Sequence, residues 1–163
     1  MTKDISIRTD LRYGDLGRII TLHGEGYAQE EQFSGLAFEA YVARTVADFV
    51  IDNEARGRIW LAEQGADLVG CTAMVDRGGK GQLRWVIVSP KARGTGLGKK
   101  LVHEAIAYAQ DQGWSEVMLE TTTGLPASMD IYRRLGFEEV SREEAELWNP
   151  HAQTLIIMRK TLA

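Results

Sequence analysis

The sequence predicts an α/β fold: one mixed, mostly antiparallel sheet of about seven strands with helices on both faces. The hydrophobic period alternates along the chain between two residues, typical of strands, and three to four residues, typical of amphipathic helices. The predicted order is strand, two helices, three strands, helix, strand, helix and two strands, with no internal repeat or linker. A chain of 163 residues is the size of one domain. We therefore expect residues 1–163 to share one sheet and one site.

The first part of the chain predicts a short strand and two helices. Ile5 and Ile7 alternate with polar neighbours, as in a half-buried strand. Apolar residues then recur every three to four positions in two stretches, which indicates two amphipathic helices. The stretches are Leu16, Ile19, Ile20 and His23, ending near Gly24 and Gly26, and Phe38, Tyr41, Val42, Val46, Phe49 and Val50.

The middle of the chain predicts an antiparallel meander. Residues 59–63, 68–75 and 82–88 have the composition of strands, and they are joined by a turn at 65–67 and by a glycine cluster at 78–81. Short glycine-containing connections of this kind favour antiparallel neighbours.

The last part predicts two further helices among three strands. A strong apolar stripe over 97–109, closed by Gly113, is followed by a strand at 117–121, and this strand, helix and strand imply a parallel pair through a right-handed crossover. Pro126 begins a shorter helix that ends at Gly136. Its predicted stripe is Ser128, Ile131, Tyr132 and Leu135, and strands at 137–140 and 154–158 finish the chain, with 148–150 in their connection.

Charge and cysteine use exclude several classes of protein. The net charge of −4 disfavours a general nucleic-acid or anionic-membrane binder, because both need a basic face. Cys71, the single cysteine, cannot form an internal disulfide and has no metal-ligand pattern around it, so no metal is expected. No stretch approaches the roughly 20 apolar residues that span a bilayer. We expect a soluble cytoplasmic protein that binds neither nucleic acid nor membrane.

The most informative segment, residues 86–100, runs from an apolar strand through a glycine-rich loop into a helix. Alternate glycines let the backbone approach a ligand closely, and the first amides of a helix have no internal partner and attract anions. Four basic residues and no acid lie within ten positions: Lys91, Arg93, Lys99 and Lys100. This pattern predicts a phosphate-containing ligand, and the alternative is a glycine-rich connection with a solvated basic rim.

Two familiar nucleotide motifs do not match this segment. A P-loop needs Ser or Thr after Gly-Lys, but Lys100 follows Gly98 and Lys99. The dinucleotide fingerprint needs a third glycine one position later than Gly98. Neither nucleotide fold is favoured.

Two segments resemble motifs of the GNAT superfamily of acyl-coenzyme A dependent N-acetyltransferases. Residues 88–98 are similar to the family's pyrophosphate loop, which follows a strand ending in Val-x-Pro and has the pattern Arg/Gln-x-x-Gly-x-Gly/Ala. Residues 132–137 are similar to its Tyr-x-x-Leu-Gly-Phe segment, and both occur in the family order. More narrowly, residues 23–30 and 38–43 resemble the acetyltransferase half of proteins that fuse a MarR-type regulator to such a domain.

The resemblance implies acetyl-CoA (coenzyme A) as co-substrate and a GNAT-like sheet that is splayed between strands 4 and 5. In the family, the fourth strand pairs with pantetheine through its free backbone groups, and the loop amides hold the pyrophosphate. The matching residues here are Val86, Ile87, Val88, Arg93, Gly94, Thr95, Gly96, Leu97, Gly98 and Lys99. Leu125 and Pro126 stand where the family often places an asparagine that contacts the cofactor.

The resemblance also implies catalytic residues. Tyr132 matches the tyrosine that many members use as general acid toward the departing thiolate, although its helical stripe also fits a core aromatic. An alkylamine must lose a proton before it attacks, at a cost of about 4 to 5 kcal/mol at pH 7. Glu120, near the end of the fifth strand, is the first candidate base, followed by Glu25 and Glu30, and solvated surface glutamates are the alternative in each case.

Two histidines and the cysteine are set aside as catalysts. His23 fits a helix stripe and is interpreted as a packed histidine, and His151 as an exposed one. Cys71 has no neighbouring base in sequence, which disfavours a covalent thiol route.

The function predicted from these motifs is direct acetyl transfer to an amine of a small molecule or peptide. A non-catalytic acyl-CoA binding or sensing module and a partner-binding domain are the alternatives, and a homodimer is left open. Glu25, Glu30 and Glu31, between the first two helices, suggest a cationic acceptor.

Overall fold

A seven-stranded mixed sheet, in the order β1-β2-β3-β4-β5-β7-β6, forms the centre of the protein. The computed structural model describes residues 4–28, 33, 36–123, 126–146 and 153–162. The strands are Ile5–Arg8 (β1), Gly57–Gln64 (β2), Asp67–Asp76 (β3), Gly81–Val88 (β4), Glu116–Thr122 (β5), Glu138–Ala145 (β6) and Gln153–Thr161 (β7). The helices are Asp15–Gly26 (α1), Leu36–Ile51 (α2), Leu97–Asp111 (α3) and Pro126–Arg134 (α4). The predicted fold class and element order are confirmed.

The helices cover both faces of the sheet because successive strand residues point to opposite sides. On β2, Leu61 packs into the buried cluster that contains α1 and α2, whereas Trp60 and Ala62 pack into the cluster that contains α3 and α4. The core is therefore two layers of side chains, one on each face.

The sheet opens between β4 and β5, as predicted for strands 4 and 5. These two strands are parallel, and they pair only from Gly81 with Val117 to Leu83 with Leu119. Beyond that point β5 continues its pairing with β7 alone, while the rest of β4 pairs with β3. The outer half of β4 therefore has one edge without a strand partner among the described residues.

A β-bulge lies at the start of this open half of β4. Cys71 pairs with Ile87 and Ala73 pairs with Arg84, so two residues of β4 oppose one residue of β3. Trp85, inside the bulge, has a φ of 50°, a left-handed conformation that costs a non-glycine residue about 1 to 2 kcal/mol.

Side chains of neighbouring elements hold the bulge in place. Thr72 Oγ1 donates to the Arg84 carbonyl at 3.2 Å, and Cys71 Sγ donates to the Trp85 carbonyl at 3.2 Å. The Trp85 indole Nε1 donates to Thr45 Oγ1 of α2 at 3.1 Å. The carbonyls of the bulge are thus bonded to β3, and α2 fixes the direction of the indole.

Two details differ from the predictions. The predicted stripe of α4 is wrong at Ile131, which is 36% exposed, because Met129 and Tyr132 are the residues that enter the core. Strand β6 extends to Ala145 rather than to residue 140. Residues 148–150 and His151 lie outside the described residues.

A network of four charged residues joins α1 to β1 and β2. Arg8 binds Asp15 at 2.7 Å and Glu63 at 2.9 Å, and Arg18 binds Glu63 at 3.0 Å. The side chain of Asp15 is 3% exposed, and the hydrogen bonds from Arg8 outweigh burial and lower its pKa to about 2. Because the folded pKa is depressed, the stabilisation is present above about pH 4 and is lost as the pH falls toward about 2.

We expect Asp15→Asn to lower the free energy of unfolding at pH 7 by about 3 kcal/mol, because it leaves Arg8 buried with a weaker partner. The variant should also lose stability less steeply than the wild type between about pH 4 and pH 2. Urea unfolding at a series of pH values measures both effects. Asp10→Asn is the matched control, since Asp10 pairs with Arg12 at the surface. Equal losses in the two variants would contradict the prediction.

Candidate functional site

The opening between β4 and β5 leads to two adjacent cavities. The loop cavity, of about 380 Å³, lies beside the glycine-rich loop. The aromatic cavity, of about 160 Å³, lies beside α1 and α2. Residues at the end of α1, on β4 and on α4 line both of them: Tyr27, Val86, Ser128 and Tyr132. We call these four shared residues the junction of the two cavities.

The loop cavity contains five of the predicted cofactor residues: Val86, Ile87, Val88, Arg93 and Gly98. The other walls come from α1, α3 and α4, at Gly26, Val102 and Ile131 among others. The open edge of β4 therefore forms one side of a groove.

The remaining predicted cofactor residues lie on the loop at the mouth of this groove. Gly94 and Gly96 both have a φ of 79°, and a Cβ at either would meet no atom within 4 Å. Leu97 is 5% exposed and packs in the core, so only its backbone can reach a ligand. Thr95 Oγ1 donates to the Ala92 carbonyl at 2.6 Å, which closes the loop.

The start of α3 presents free amides and positive charge. Within the described part of the chain, the amides of Gly98 and Lys99 have no acceptor, as expected for the first turn of a helix. Arg93, Lys99 and Lys100 are exposed and form no ion pair with a described residue. An anion with several oxygen acceptors would satisfy these donors.

Aromatic rings form one wall of the aromatic cavity. The ring of Tyr27 lies 4.7 Å from that of Phe33 and 5.4 Å from that of Phe38, and Phe33 and Phe38 are 4.8 Å apart. Charged and polar residues of β4 and β5 also line this cavity: Gln82, Arg84, Glu120, Thr121 and Thr122. The hydroxyl of Thr122 is buried and has no hydrogen-bond partner among the described residues.

Tyr132, the predicted general acid, lies at the junction of the two cavities. Its side chain is 8% exposed, and its ring contacts Phe137 edge to face at 5.9 Å. Burial, with a smaller contribution from Tyr27, raises the pKa of the phenol. The hydroxyl is therefore protonated at neutral pH and can donate a proton or a hydrogen bond at the junction.

Glu120, the first candidate base, lines the aromatic cavity and is exposed to it. The backbone of Glu120 pairs with Ile157 of β7, and this pairing fixes the position of Glu120 along the opening between β4 and β5. Glu25 is exposed on α1 and lines neither cavity. Glu30 and Glu31 lie outside the described residues.

His23 is a packed histidine, as predicted. It is 4% exposed, and Nδ1 donates to the Ile19 carbonyl at 2.8 Å, which leaves Nε2 as an acceptor. Burial lowers its pKa to about 4, so the ring is neutral at pH 7. It nevertheless lines the aromatic cavity, which its helix stripe did not indicate.

Cys71 is fully buried, and burial raises the pKa of its thiol. The thiolate needed for covalent transfer is strongly disfavoured there.

Sequence reasoning missed Arg84 and the aromatic wall. The sequence of β4 does not reveal the bulge. A charged residue inside an apolar strand, as at Arg84, is nevertheless a signal that the side chain borders a cavity. Phe38 was predicted only as part of a helix stripe, and Tyr27 and Phe33 were given no role. The fold shows that all three line a cavity.

Two structural absences apply to the described residues alone. They contain no group of three or more His, Cys, Asp or Glu that could hold a metal ion. They also contain no helix that is both long enough and apolar enough to cross a membrane.

Residues 23–137 match the model of the acetyltransferase (GNAT) family. The chain therefore belongs to this family. N-acetyltransferase 8F1 of Rattus norvegicus is 32% identical over 120 residues, which cover 67% of this chain and 54% of that protein. The chain spans about half the length of that relative.

Solved structures share the fold over nearly the whole chain. The ribosomal-protein-S18-alanine N-acetyltransferase of Escherichia coli has a TM-score of 0.76 at 18% identity and covers 98% of this chain and 95% of its own. A GNAT-family acetyltransferase of Staphylococcus aureus Mu50 has a TM-score of 0.78 at 16% identity, with coverages of 98% and 100%. At such identities the likeness shows the fold alone.

Proposed function

We propose that this chain transfers the acetyl group of acetyl-CoA directly to the amine of a small molecule or peptide. The observation that carries the proposal is the opening between β4 and β5, where the loop cavity and the aromatic cavity meet at Val86 and Tyr132. A donor in the first cavity and an acceptor in the second would meet at a buried proton donor.

The loop cavity fits acetyl-CoA on three counts. Open space faces Gly94 and Gly96, and within the described chain the amides of Gly98 and Lys99 lack acceptors. Arg93, Lys99 and Lys100 form no ion pair with a described residue, whereas Lys91 pairs with Asp67 at 3.8 Å. The free edge of β4 at 86–88 offers backbone groups to the amides of pantetheine, as the family resemblance implies. When bound, acetyl-CoA supplies an activated acyl carbon and a thiol leaving group.

Three groups of this chain would carry the reaction. Glu120 would hold the amine and accept its proton, directly or through water. Backbone amides beside the bulge at Trp85 would donate to the carbonyl oxygen as its charge grows, because the β5 side of this segment has no strand partner. Tyr132 would protonate the leaving sulfur.

The finer expectations stay predictions: the likeness to MarR-type fusions, the single-domain extent, the cytoplasmic location and the homodimer. A structural neighbour acts on an alanine of ribosomal protein S18, but an identity of 18% transfers only its fold.

The proposal is tested by measuring thiol release from acetyl-CoA, with mass spectrometry of the acetylated product, against amino acids, polyamines, aminoglycosides and lysine peptides. We expect release that depends on one class of amine and gives one acetylated product per thiol. Binding of acetyl-CoA without release on any amine would indicate the sensing module instead. Absence of binding would indicate a partner-binding domain.

A further inference from the structure

A guanidinium group of β4, that of Arg84, lines the aromatic cavity. Leu83 and Val86 pack toward α3, whereas Trp85 packs in the cluster with α1 and α2. Arg84 lies on the side of Trp85, because it follows Leu83 in the regular part of the strand and its Cζ lies 5.2 Å from the centre of the Trp85 ring. A regular strand would place consecutive side chains on opposite faces.

Arg84 is half-buried and has no anionic partner among the described residues. No carboxylate of a described residue lies within 4.0 Å of its guanidinium, and no side-chain hydrogen bond satisfies it there. Asp48 and Asp52 line a neighbouring cavity of about 270 Å³ together with Arg84, but neither forms an ion pair with it. A partly desolvated guanidinium without a partner favours binding of an anion from solution.

Glu120 on β5 carries a charge opposite to that of Arg84 and occupies the corresponding position in the opening between the two strands. Leu83 and Leu119 form the last pair between β4 and β5, so Arg84 and Glu120 are the first residues after the strands separate. Both line the aromatic cavity, yet they form no ion pair with each other. The described lining of the cavity thus carries one positive and one negative side chain, one from each of the two separating strands.

We propose that the acceptor is a free amino acid, with its carboxylate bound by Arg84 and its amino group held at Glu120. This inference rests on the proposed function and names the substrate class of that site. The rings of Tyr27, Phe33 and Phe38 provide an apolar surface for the side chain of the amino acid. The cavity of about 160 Å³ suits a small acceptor.

The reaction is balanced in atoms and protons. The amino nitrogen forms a bond to the acetyl carbon, and the bond between that carbon and sulfur breaks. One proton leaves the attacking nitrogen, and one is delivered to the sulfur. The products are an N-acetyl amino acid and free CoA thiol.

The test compares each amino acid with the amine that lacks only its carboxylate, such as phenylalanine with phenethylamine and leucine with 3-methylbutylamine. We expect wild-type kcat/KM to favour the amino acid, and Arg84→Met to lower kcat/KM for the amino acid by about 10- to 100-fold while changing that for the amine by less than about 2-fold. For Arg84→Lys, kcat/KM for the amino acid should lie between the values of the wild type and of Arg84→Met, because lysine keeps the positive charge but cannot form two parallel hydrogen bonds to the carboxylate. The ratio within one variant does not depend on how much of the protein is folded.

Arg58→Met is the matched control, since Arg58 also stacks on an aromatic ring, with its Cζ 4.6 Å from the centre of Tyr108, but lines neither cavity. It should leave the ratio unchanged. Turnover of simple amines with no preference for a carboxylate, or an unchanged preference in Arg84→Met, would overturn the inference and leave the acetyltransferase proposal intact. No thiol release with any amine or amino acid would instead remove the proposed function.

Discussion

Replacing Tyr132 by Phe should lower kcat by about 10²- to 10⁴-fold while leaving acetyl-CoA affinity nearly unchanged. Only a hydroxyl is removed, and the ring keeps its packing against Phe137. That hydroxyl lies where the two cavities meet, and its raised pKa keeps it protonated. The defect should shrink with an acetyl thioester of a more acidic thiol, because a better leaving group needs less help from an acid.

Tyr108→Phe controls for the loss of a phenol elsewhere. Tyr108 packs edge to face against Trp60 and Trp114 and lines neither cavity, so its variant should retain wild-type kcat. Single-turnover rates and calorimetric titration with acetyl-CoA separate chemistry from binding. A Tyr132→Phe variant with wild-type turnover would mean that the residue is a core aromatic and that water protonates the sulfur.

Gly96→Val should weaken acetyl-CoA binding by about 10²-fold, because the added side chain enters the open space that the pyrophosphate would occupy. Gly96 also has a positive φ, so part of the cost is strain in the backbone itself.

Gly79→Val separates these two effects. Gly79 has a φ of 87° and open space around it, but it lies in the turn between β3 and β4, away from the loop. Both variants should lose similar stability in thermal unfolding, and only Gly96→Val should lose affinity in calorimetry. Equal affinities would remove the loop from the donor site.

The overall fold could be predicted from sequence because its signals are local and repeated. The meander is defined by three alternating segments with glycine turns between them, and the parallel pair by a strand, an amphipathic helix and a strand. The groove was also predictable in outline, since the combination of an apolar strand, alternate glycines and basic residues in 86–100 is typical of a binding site for a phosphate-containing ligand. Val86, Arg93 and Gly98 do line one cavity.

The parts that escaped prediction depend on contacts between distant elements. The extent of β6 was missed because nearly all of its residues are exposed, so no alternation marks it. The bulge at Trp85 depends on Thr72, Cys71 and Thr45, which bond to it from β3 and α2. The bulge places Trp85 on the same side as Arg84, which the alternation of a regular strand does not predict.

The most direct test of the account is a crystal structure of this protein with CoA bound. We predict pyrophosphate at the amides that begin α3, pantetheine along residues 86–88 in the opening between β4 and β5, and the sulfur within hydrogen-bond reach of the Tyr132 hydroxyl. CoA bound elsewhere on the protein, or a sulfur remote from both Tyr132 and the aromatic cavity, would contradict direct acetyl transfer at this junction.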